Sequence, residues 1–157
     1  MTLSTKRPLE ISNSEGEIRR RDSRTFRETV KDLEATNTFV QTRLTDPRVD
    51  RRIRVALELL THENYALSYS TVMRHVLRVV NMSDSRFRHL FKAETGLSPT
   101  QLFKVQRLRR ARRLLGTTFL SVKQITATLG INDMSHFIND YRAAFGETPT
   151  QTRHRLP

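Results

Sequence analysis

Apolar residues after Asp46 recur every three or four positions, which is the spacing of amphipathic helices. The first stripe follows Asp46-Pro47, a pair that predicts an N-cap with proline at the first helical position. A second stretch covers residues 72–80 and ends at Asn81, a residue type that tolerates the left-handed conformation of a tight turn. No segment alternates with period two for long, so the predicted fold class is all-α.

Capping residues and glycines mark the helices that follow. Ser83 is a potential cap for a helix that runs to about Thr95 and stops at Gly96, so a helix, a short turn and a second helix follow one another. Capping-box spacings at Ser98 and Ser121 predict the starts of two more helices.

Three further boundaries complete the prediction for the folded part. The helix after Ser98 is expected to end at Gly116, and Asn132 is expected to cap a helix through Phe145. Thr148-Pro149 signals a last short helix.

The chain before Asp46 has a different character. Residues 1–24 are polar and lack apolar periodicity, which predicts a flexible tail. Residues 25–45 carry an amphipathic stripe formed by Phe26, Val30, Leu33, Asn37, Val40 and Leu44. This segment is interpreted as an amphipathic helix on the main domain or a linker. The alternatives left open are a short coiled-coil seam for a homodimer or a partner protein through 26–44, and a segment that does not fold alone.

A fifteen-residue segment at 87–101, FRHLFKAETGLSPTQ, recurs fifty residues later at 137–151 as FINDYRAAFGETPTQ. Six positions are identical, and they include a core phenylalanine, the glycine that stops the helix and the proline that starts the next one. The chain is therefore predicted to contain two helix-turn-helix units of one construction, whose second helices cover about 84–95 and 133–145.

Each of these second helices is expected to present a polar face. With Phe87 or Phe137 at the centre of the buried side, helical geometry places polar residues on the opposite side and its flanks. In helix-turn-helix proteins, side chains on such a face contact base edges in the major groove, where Arg can bind guanine and Asn can bind adenine. The candidate base-reading residues are Ser85, Arg88, His89, Lys92, Met134, Ser135, His136 and Asn139.

Positive charge is concentrated after residue 45. The chain carries a formal charge of +12, and residues 46–157 contribute nineteen basic and nine acidic side chains. The predicted helix at 99–115 carries six basic residues and no acidic one. It spans roughly 25 Å, which suits a spacer between two helices about one DNA turn, roughly 34 Å, apart. The candidate contacts to the DNA backbone are Arg86, Lys104, Arg107, Arg109, Arg110, Arg112, Arg113, Lys123 and Arg142.

Composition argues against several other classes of protein. The chain has no Cys, and its five His lack the spacing of a helical zinc pair, so no metal or cofactor is expected. No phosphate-binding loop or nucleophile motif indicates an enzyme. The absence of an apolar run of about 20 residues and of a secretory signal predicts no membrane span and a cytoplasmic location. A nonspecific nucleoid or RNA-binding protein is the alternative, because charge alone would suffice for it.

The ordered pattern resembles the DNA-binding domain of the AraC/XylS transcription regulators of bacteria. The matching segments are SDSRFRHLFKAETGLSPTQL, RLRRARRLL and SVKQITATLGINDMSHFINDYRAAFGETPTQTR, within about residues 47–155. The resemblance implies a seven-helix domain at 46–157, double-stranded DNA as the partner, two recognition helices on an asymmetric site and control of promoters. It also implies activation through RNA polymerase and a nucleoid-associated location.

The sequence departs from the family pattern at some positions. Leu77 and Thr126 stand where the family usually has alanine, and Asn81 replaces the usual turn glycine. Asp140 occupies the position that Leu90 has in the first unit. The second unit carries little positive charge on its reading face, so it is expected to anchor the protein while the first unit reads the sequence.

Overall fold

The computed structural model describes residues 33–61 and 67–156. Within these ranges the regular structure consists of eight helices and no strand, which confirms the all-α prediction. In chain order they are α1 (Leu33–Thr45), α2 (Arg51–Thr61), α3 (Tyr69–Val80), α4 (Asp84–Thr95), α5 (Pro99–Thr117), α6 (Val122–Thr128), α7 (Met134–Phe145) and α8 (Pro149–Arg155). The predicted tail at 1–24 and the start of the apolar stripe at Phe26 lie outside the described residues.

Reciprocal capping boxes begin three of these helices. In α5 the Ser98 hydroxyl accepts the Gln101 backbone N–H at 3.2 Å, and the Gln101 side chain accepts the Ser98 N–H at 2.8 Å. The same pair of bonds forms at the starts of α6 and α8, from Ser121 and Thr148. These local signals were readable in the sequence because each box involves residues only three apart.

The helix α2 begins later than predicted. Asp46 follows α1 and accepts the Arg48 N–H at 2.9 Å, whereas Asp50 accepts the Arg52 N–H at 2.8 Å and its carbonyl receives the Ile53 N–H. The prediction of an N-cap at Asp46-Pro47 was therefore wrong. Asp46 and Asp50 each precede an arginine by two positions. Residues 46–49 form the connection from α1, so Asp50 is the aspartate that caps α2.

Acid is expected to destabilise the protein partly through Asp50. Hydrogen bonds from the Arg52 side chain and backbone lower the pKa of Asp50 from 3.8 to about 2. A lowered folded-state pKa gives stability that is present above pH 4 and is lost as the pH falls towards 2. Asp50→Asn should therefore flatten the decline in the free energy of unfolding over this window, as measured by urea denaturation at several pH values. An unchanged pH profile would contradict this role.

Two other helix boundaries also differ from the predictions. The helix α7 is capped by Asp133, whose carboxylate accepts the His136 N–H at 2.9 Å, and not by Asn132. A carboxylate at this end also interacts favourably with the helix dipole. The helix α5 continues through Gly116 to Thr117. A Cβ at Gly116 would lie 3.1 Å from the Leu156 side chain, so this glycine allows close packing of the C-terminal segment.

The turn between α3 and α4 uses the left-handed conformation that was expected of Asn81. This residue has φ of 52°, and its N–H bonds to the Leu77 carbonyl. Ser83 precedes α4 in an extended conformation but makes no side-chain cap hydrogen bond, unlike the capping serines elsewhere.

One hydrophobic core extends through both helix-turn-helix units. The helix α5 contributes the buried residues Leu102, Val105 and Ala111 and contacts α2, α4, α6, α7 and α8. The helix α1 packs on α2 and contributes Val40, which is 1% exposed. The described part of the N-terminal stripe therefore covers the main domain, while a coiled-coil role for it stays a prediction.

The second unit contains a hydrogen bond where the first has apolar residues. Tyr141 and Thr152 occupy the positions that Phe91 and Leu102 hold fifty residues earlier, and all four are buried. The Tyr141 hydroxyl donates to Thr152 Oγ1 at 3.0 Å, and Thr152 donates to Glu147 at 2.9 Å. Burial raises the pKa of Tyr141, so the phenol remains a donor at neutral pH.

These two side chains are expected to be energetically coupled. Tyr141→Phe should lower the free energy of unfolding by about 1 kcal/mol, since it removes one buried hydrogen bond. Thr152→Val alone should cost more, because it leaves the Tyr141 hydroxyl buried without an acceptor. In a double-mutant cycle by urea denaturation, a coupling of about 1 kcal/mol supports the pairing, whereas additive costs would contradict it.

Candidate nucleic-acid interface

The first helix-turn-helix unit consists of α3 and α4, joined by the turn at Asn81. On α4, Phe87 and Phe91 are fully buried, and their ring centroids lie 5.4 Å apart. This aromatic pair orients the helix so that the opposite side faces solvent. The candidate readers Ser85, His89 and Lys92 are all exposed on that side.

Arg88 lies on the exposed side of α4 with its guanidinium fixed by a neighbour. Its Nε donates to both carboxylate oxygens of Asp84, at 2.9 and 2.8 Å. Both side chains are about half exposed, at 46% and 51%. The Asp84 hydrogen bond raises the pKa of Arg88, with smaller contributions from Tyr69. The side chain is therefore charged and held on the surface of the helix.

The second unit, α6 and α7, repeats this construction. Phe137 and Tyr141 are buried with ring centroids 5.7 Å apart, and the candidates Ser135 and Asn139 are exposed. His136 is also exposed and lies at the edge of a cleft towards the first unit. Met134 differs from the other candidates, because its side chain is half-buried and packs against the core.

Asp140, which departs from the family pattern, forms an ion pair with a lysine of α5. Its carboxylate lies 3.6 Å from the Lys104 ammonium, and 27% of its side chain is exposed. The cation comes from α5, so the pair joins α5 to α7. Lys104 is also a candidate for DNA backbone contact from the sequence, and its side chain remains 48% exposed beside this pair, so that assignment stays a prediction.

Other basic residues of α5 also contact the protein itself. Arg107 donates to the Leu67 carbonyl at 2.9 Å and stacks over Phe103 at 4.4 Å, and its partial burial lowers its pKa. Arg112 lies over the Phe145 ring at 4.7 Å. Arg113 is exposed, whereas Arg109 and Arg110 are half-buried. Several cations of α5 therefore make contacts within the protein, and they differ in how much of each side chain is exposed.

The remaining candidates for backbone contact lie on the two units themselves. Arg86 on α4, Lys123 on α6 and Arg142 on α7 are all exposed. The start of α6 is fixed by Arg153 of α8, which donates to the carbonyls of Thr118 and Leu120. Lys123 follows as the second residue of α6, in its first turn.

A cleft of about 340 Å³ lies between the two units. Its walls come from the start of α3, from α5, from the turn before α7 and from α7 itself, and they include Tyr69, Lys104, Arg107, Ile131, His136 and Asp140. The cleft therefore lies where α5, α7 and the start of α3 come together.

Sequence reasoning missed Asp84 as part of this surface, although a signal was present. Asp84 precedes Arg88 by four residues, which is the spacing of a side-chain pair on one helix face. Tyr69 was also missed, and it accepts a hydrogen bond from Thr100 at 2.9 Å next to Arg88. No sequence signal connects Tyr69 to α4, because their proximity depends on helix packing.

Two classes of site have no counterpart in the described residues. No group of His, Cys, Asp or Glu side chains within 33–61 and 67–156 is arranged to hold a metal ion. None of the helices in these ranges is both long and apolar enough to cross a bilayer.

Comparison with known proteins identifies the family of this arrangement. A family model described as a helix-turn-helix domain matches residues 76–155. The arabinose operon regulatory protein of Escherichia coli is 27% identical over 109 residues, which are 68% of this chain and 36% of that protein. The HTH-type transcriptional regulator CdhR of Pseudomonas aeruginosa is 33% identical over 78 residues, 50% of this chain and 23% of that protein.

A virulence regulon transcriptional activator, VirF of Yersinia enterocolitica, is 30% identical over 97 residues, covering 62% of this chain and 35% of that protein. The chain thus spans between somewhat under a quarter and somewhat over a third of the length of these curated relatives.

Among solved structures, the C-terminal domain of AraT, a response regulator from Geobacillus stearothermophilus, has a similar fold. Its TM-score is 0.59 at 23% identity, with coverage of 69% of this chain and 88% of that domain. The shared fold agrees with the matched family model and with the relatives. The chain belongs to the AraC/XylS family of helix-turn-helix transcription regulators.

Proposed function

We propose that this protein is a sequence-specific DNA-binding transcription regulator that places α4 and α7 in two successive major grooves of one site. The observation that carries the proposal is the repeated construction of the two units. In each, an aromatic pair is buried and a polar face is exposed on the second helix. Because α5 packs against both units, a single chain presents two such faces without a second copy.

The two units are proposed to contribute differently to base reading. Arg88, His89 and Lys92 give the first unit cationic and hydrogen-bonding groups that suit guanine. The second unit offers the short polar side chains of Ser135 and Asn139, with Asn suited to adenine. The first unit is therefore the main reader and the second mainly an anchor. Met134 has the weakest support as a reader, because it packs against the core.

Contacts to the DNA backbone are proposed for the exposed cations that flank these faces, namely Arg86, Lys123, Arg142 and Arg113. The same contacts are proposed for Arg109 and Arg110, whose side chains are half-buried and so partly exposed to solvent. For Lys104, Arg107 and Arg112, a contact to phosphate would have to be shared with or replace the contacts to Asp140, the Leu67 carbonyl and the Phe145 ring.

Arg109→Ala is expected to weaken binding to all DNA sequences alike. A phosphate contact carries no base information, and its loss should reduce the slope of log K against log salt by about one. Fluorescence anisotropy on selected and random duplexes at several salt concentrations measures both effects. A loss confined to one sequence, or an unchanged slope, would contradict the assignment.

The sign of control is proposed to be activation through contact with RNA polymerase. The support is that one of the relatives is named as a transcriptional activator. A reporter with the selected site upstream of a weak promoter tests it. Increased transcription supports activation, and decreased transcription from the same site would assign repression instead.

Competition binding tests the central proposal against the alternative of a nonspecific nucleoid or RNA-binding protein. The alternative is favoured by the net charge alone, since residues 46–157 carry ten more basic than acidic side chains. A regulator should prefer its selected duplex over random DNA by about a thousandfold or more at physiological salt. Equal competition by random DNA or by RNA would favour the alternative.

A further inference from the structure

The acidic residue Asp84 lies on the exposed face of α4, where a nucleic-acid-binding surface would ordinarily carry neutral or basic groups. It is the first residue of the helix, and half of its side chain is exposed. A carboxylate beside DNA phosphates opposes binding through like-charge repulsion. Its position in the first turn of α4 suits the helix dipole, and its pairing with Arg88 gives it a further role on this surface.

The geometry of the pair with Arg88 supplies such a role. Asp84 engages Arg88 only through Nε, with distances of 2.9 and 2.8 Å to its two oxygens. A guanidinium has five N–H donors, and Asp84 occupies none of the four on the two terminal nitrogens, although the Tyr69 side chain also hydrogen-bonds the Arg88 side chain. Two terminal nitrogens side by side match the O6 and N7 acceptors on the major-groove edge of guanine.

Restricting the rotamers of the Arg88 side chain should also favour binding to one base over binding to arbitrary phosphates. A free arginine side chain samples many rotamers and can reach phosphates as readily as a base edge. The contact with Asp84, assisted by Tyr69 on the neighbouring helix, holds the guanidinium over one part of the α4 face. A fixed side chain loses less entropy on binding its matching base, and it gains less from an arbitrary phosphate.

We propose that Asp84 is a specificity-determining residue of the first unit, which positions Arg88 for a guanine and disfavours binding to DNA that lacks this base. The inference rests on the proposed function, because it requires a preferred DNA site. It goes further because it assigns the discrimination between DNA with and without this guanine to an acidic residue, which does not add affinity for DNA in general.

The test uses Asp84→Asn in the full chain, with fluorescence anisotropy on three duplexes. These are the selected site, the same site with the Arg88-dependent guanine replaced, and random DNA. We expect the preference for guanine to fall by about tenfold, because one bidentate contact loses its positioning. Affinity for random DNA should stay the same or increase, because a negative charge is removed.

Two further variants control for charge and for structure. Glu58→Gln removes one negative charge at an exposed position of another helix, α2, and it should leave the guanine preference unchanged. Asp84→Glu keeps the carboxylate and should restore most of the preference, which a purely local folding defect in Asp84→Asn would not predict. Far-UV circular dichroism confirms that each variant is folded.

The combination with Arg88→Ala separates positioning from direct contact. If Asp84 acts through Arg88, Asp84→Asn should not change the base preference further in the Arg88→Ala protein. An undiminished preference in Asp84→Asn, or an equal effect with and without Arg88, would overturn the inference. If the wild-type protein itself had no preferred site, the proposed function would fail first, and this outcome is distinguishable because it appears before any substitution.

Discussion

Arg88→Ala is expected to reduce affinity for the selected DNA site by about fivefold to 150-fold, which corresponds to the 1–3 kcal/mol of one bidentate base contact. The physical reason is the position of the side chain, which is exposed on α4 and held there by Asp84 at 2.8 Å. The loss should be confined to one or two base pairs. Anisotropy titrations with a panel of single-base variants of the site measure it.

The matched control for this prediction is Arg43→Ala. Arg43 lies on α1, which packs on α2, and its guanidinium stacks 5.0 Å above Phe39. Its removal changes the net charge equally, but it should alter affinity only slightly and alike for all sequences. Equal losses on the selected site and on random DNA for Arg88→Ala would refute its role as a base reader.

Phe87→Ala is expected to lower the free energy of unfolding by about 3–5 kcal/mol, the usual cost of truncating a buried phenylalanine. Phe87 has no exposed surface and packs against Phe91, and the core around it is shared with α5. Since domains of this size are stable by only about 5–15 kcal/mol, the variant should unfold at a much lower urea concentration.

Phe119→Ala provides a control with the same chemical change. Phe119 lies in the connection between α5 and α6 and is fully exposed, at 107% of its reference area. Its truncation should change stability by no more than about 0.5 kcal/mol. Urea denaturation followed by far-UV circular dichroism compares the two variants. A similar cost for both, or a cost below about 1 kcal/mol for Phe87→Ala, would contradict the described core.

The sequence was sufficient to predict the all-α fold and the repeated unit, because both depend on local and periodic signals. Capping boxes at Ser98 and Ser121 involve residues three apart, and the fifty-residue repeat aligns the aromatic cores of α4 and α7. Helix starts were misplaced where two capping residues compete. Asp46 and Asp50 have the same local pattern, and only the position of α1 distinguishes them.

The candidate interface was predicted in outline but not in its partnerships. Helical geometry was enough to identify the exposed faces of α4 and α7. The pairing of Lys104 with Asp140, thirty-six residues away, depends on how α5 packs against α7, and no pattern in the sequence indicates it. The Asp84–Arg88 pair is different, since its i,i+4 spacing is readable once α4 is recognised as a helix.

The most direct test of the account is selection of bound duplexes from a random DNA pool with the full chain. We expect two conserved blocks of base pairs, separated by about ten base pairs between centres, because α4 and α7 are proposed to occupy successive major grooves. The stronger block should contain a guanine that is lost from the consensus when the selection is repeated with Arg88→Ala. A pool with no enriched sequence, or with a single block that Arg88→Ala leaves intact, would contradict the account.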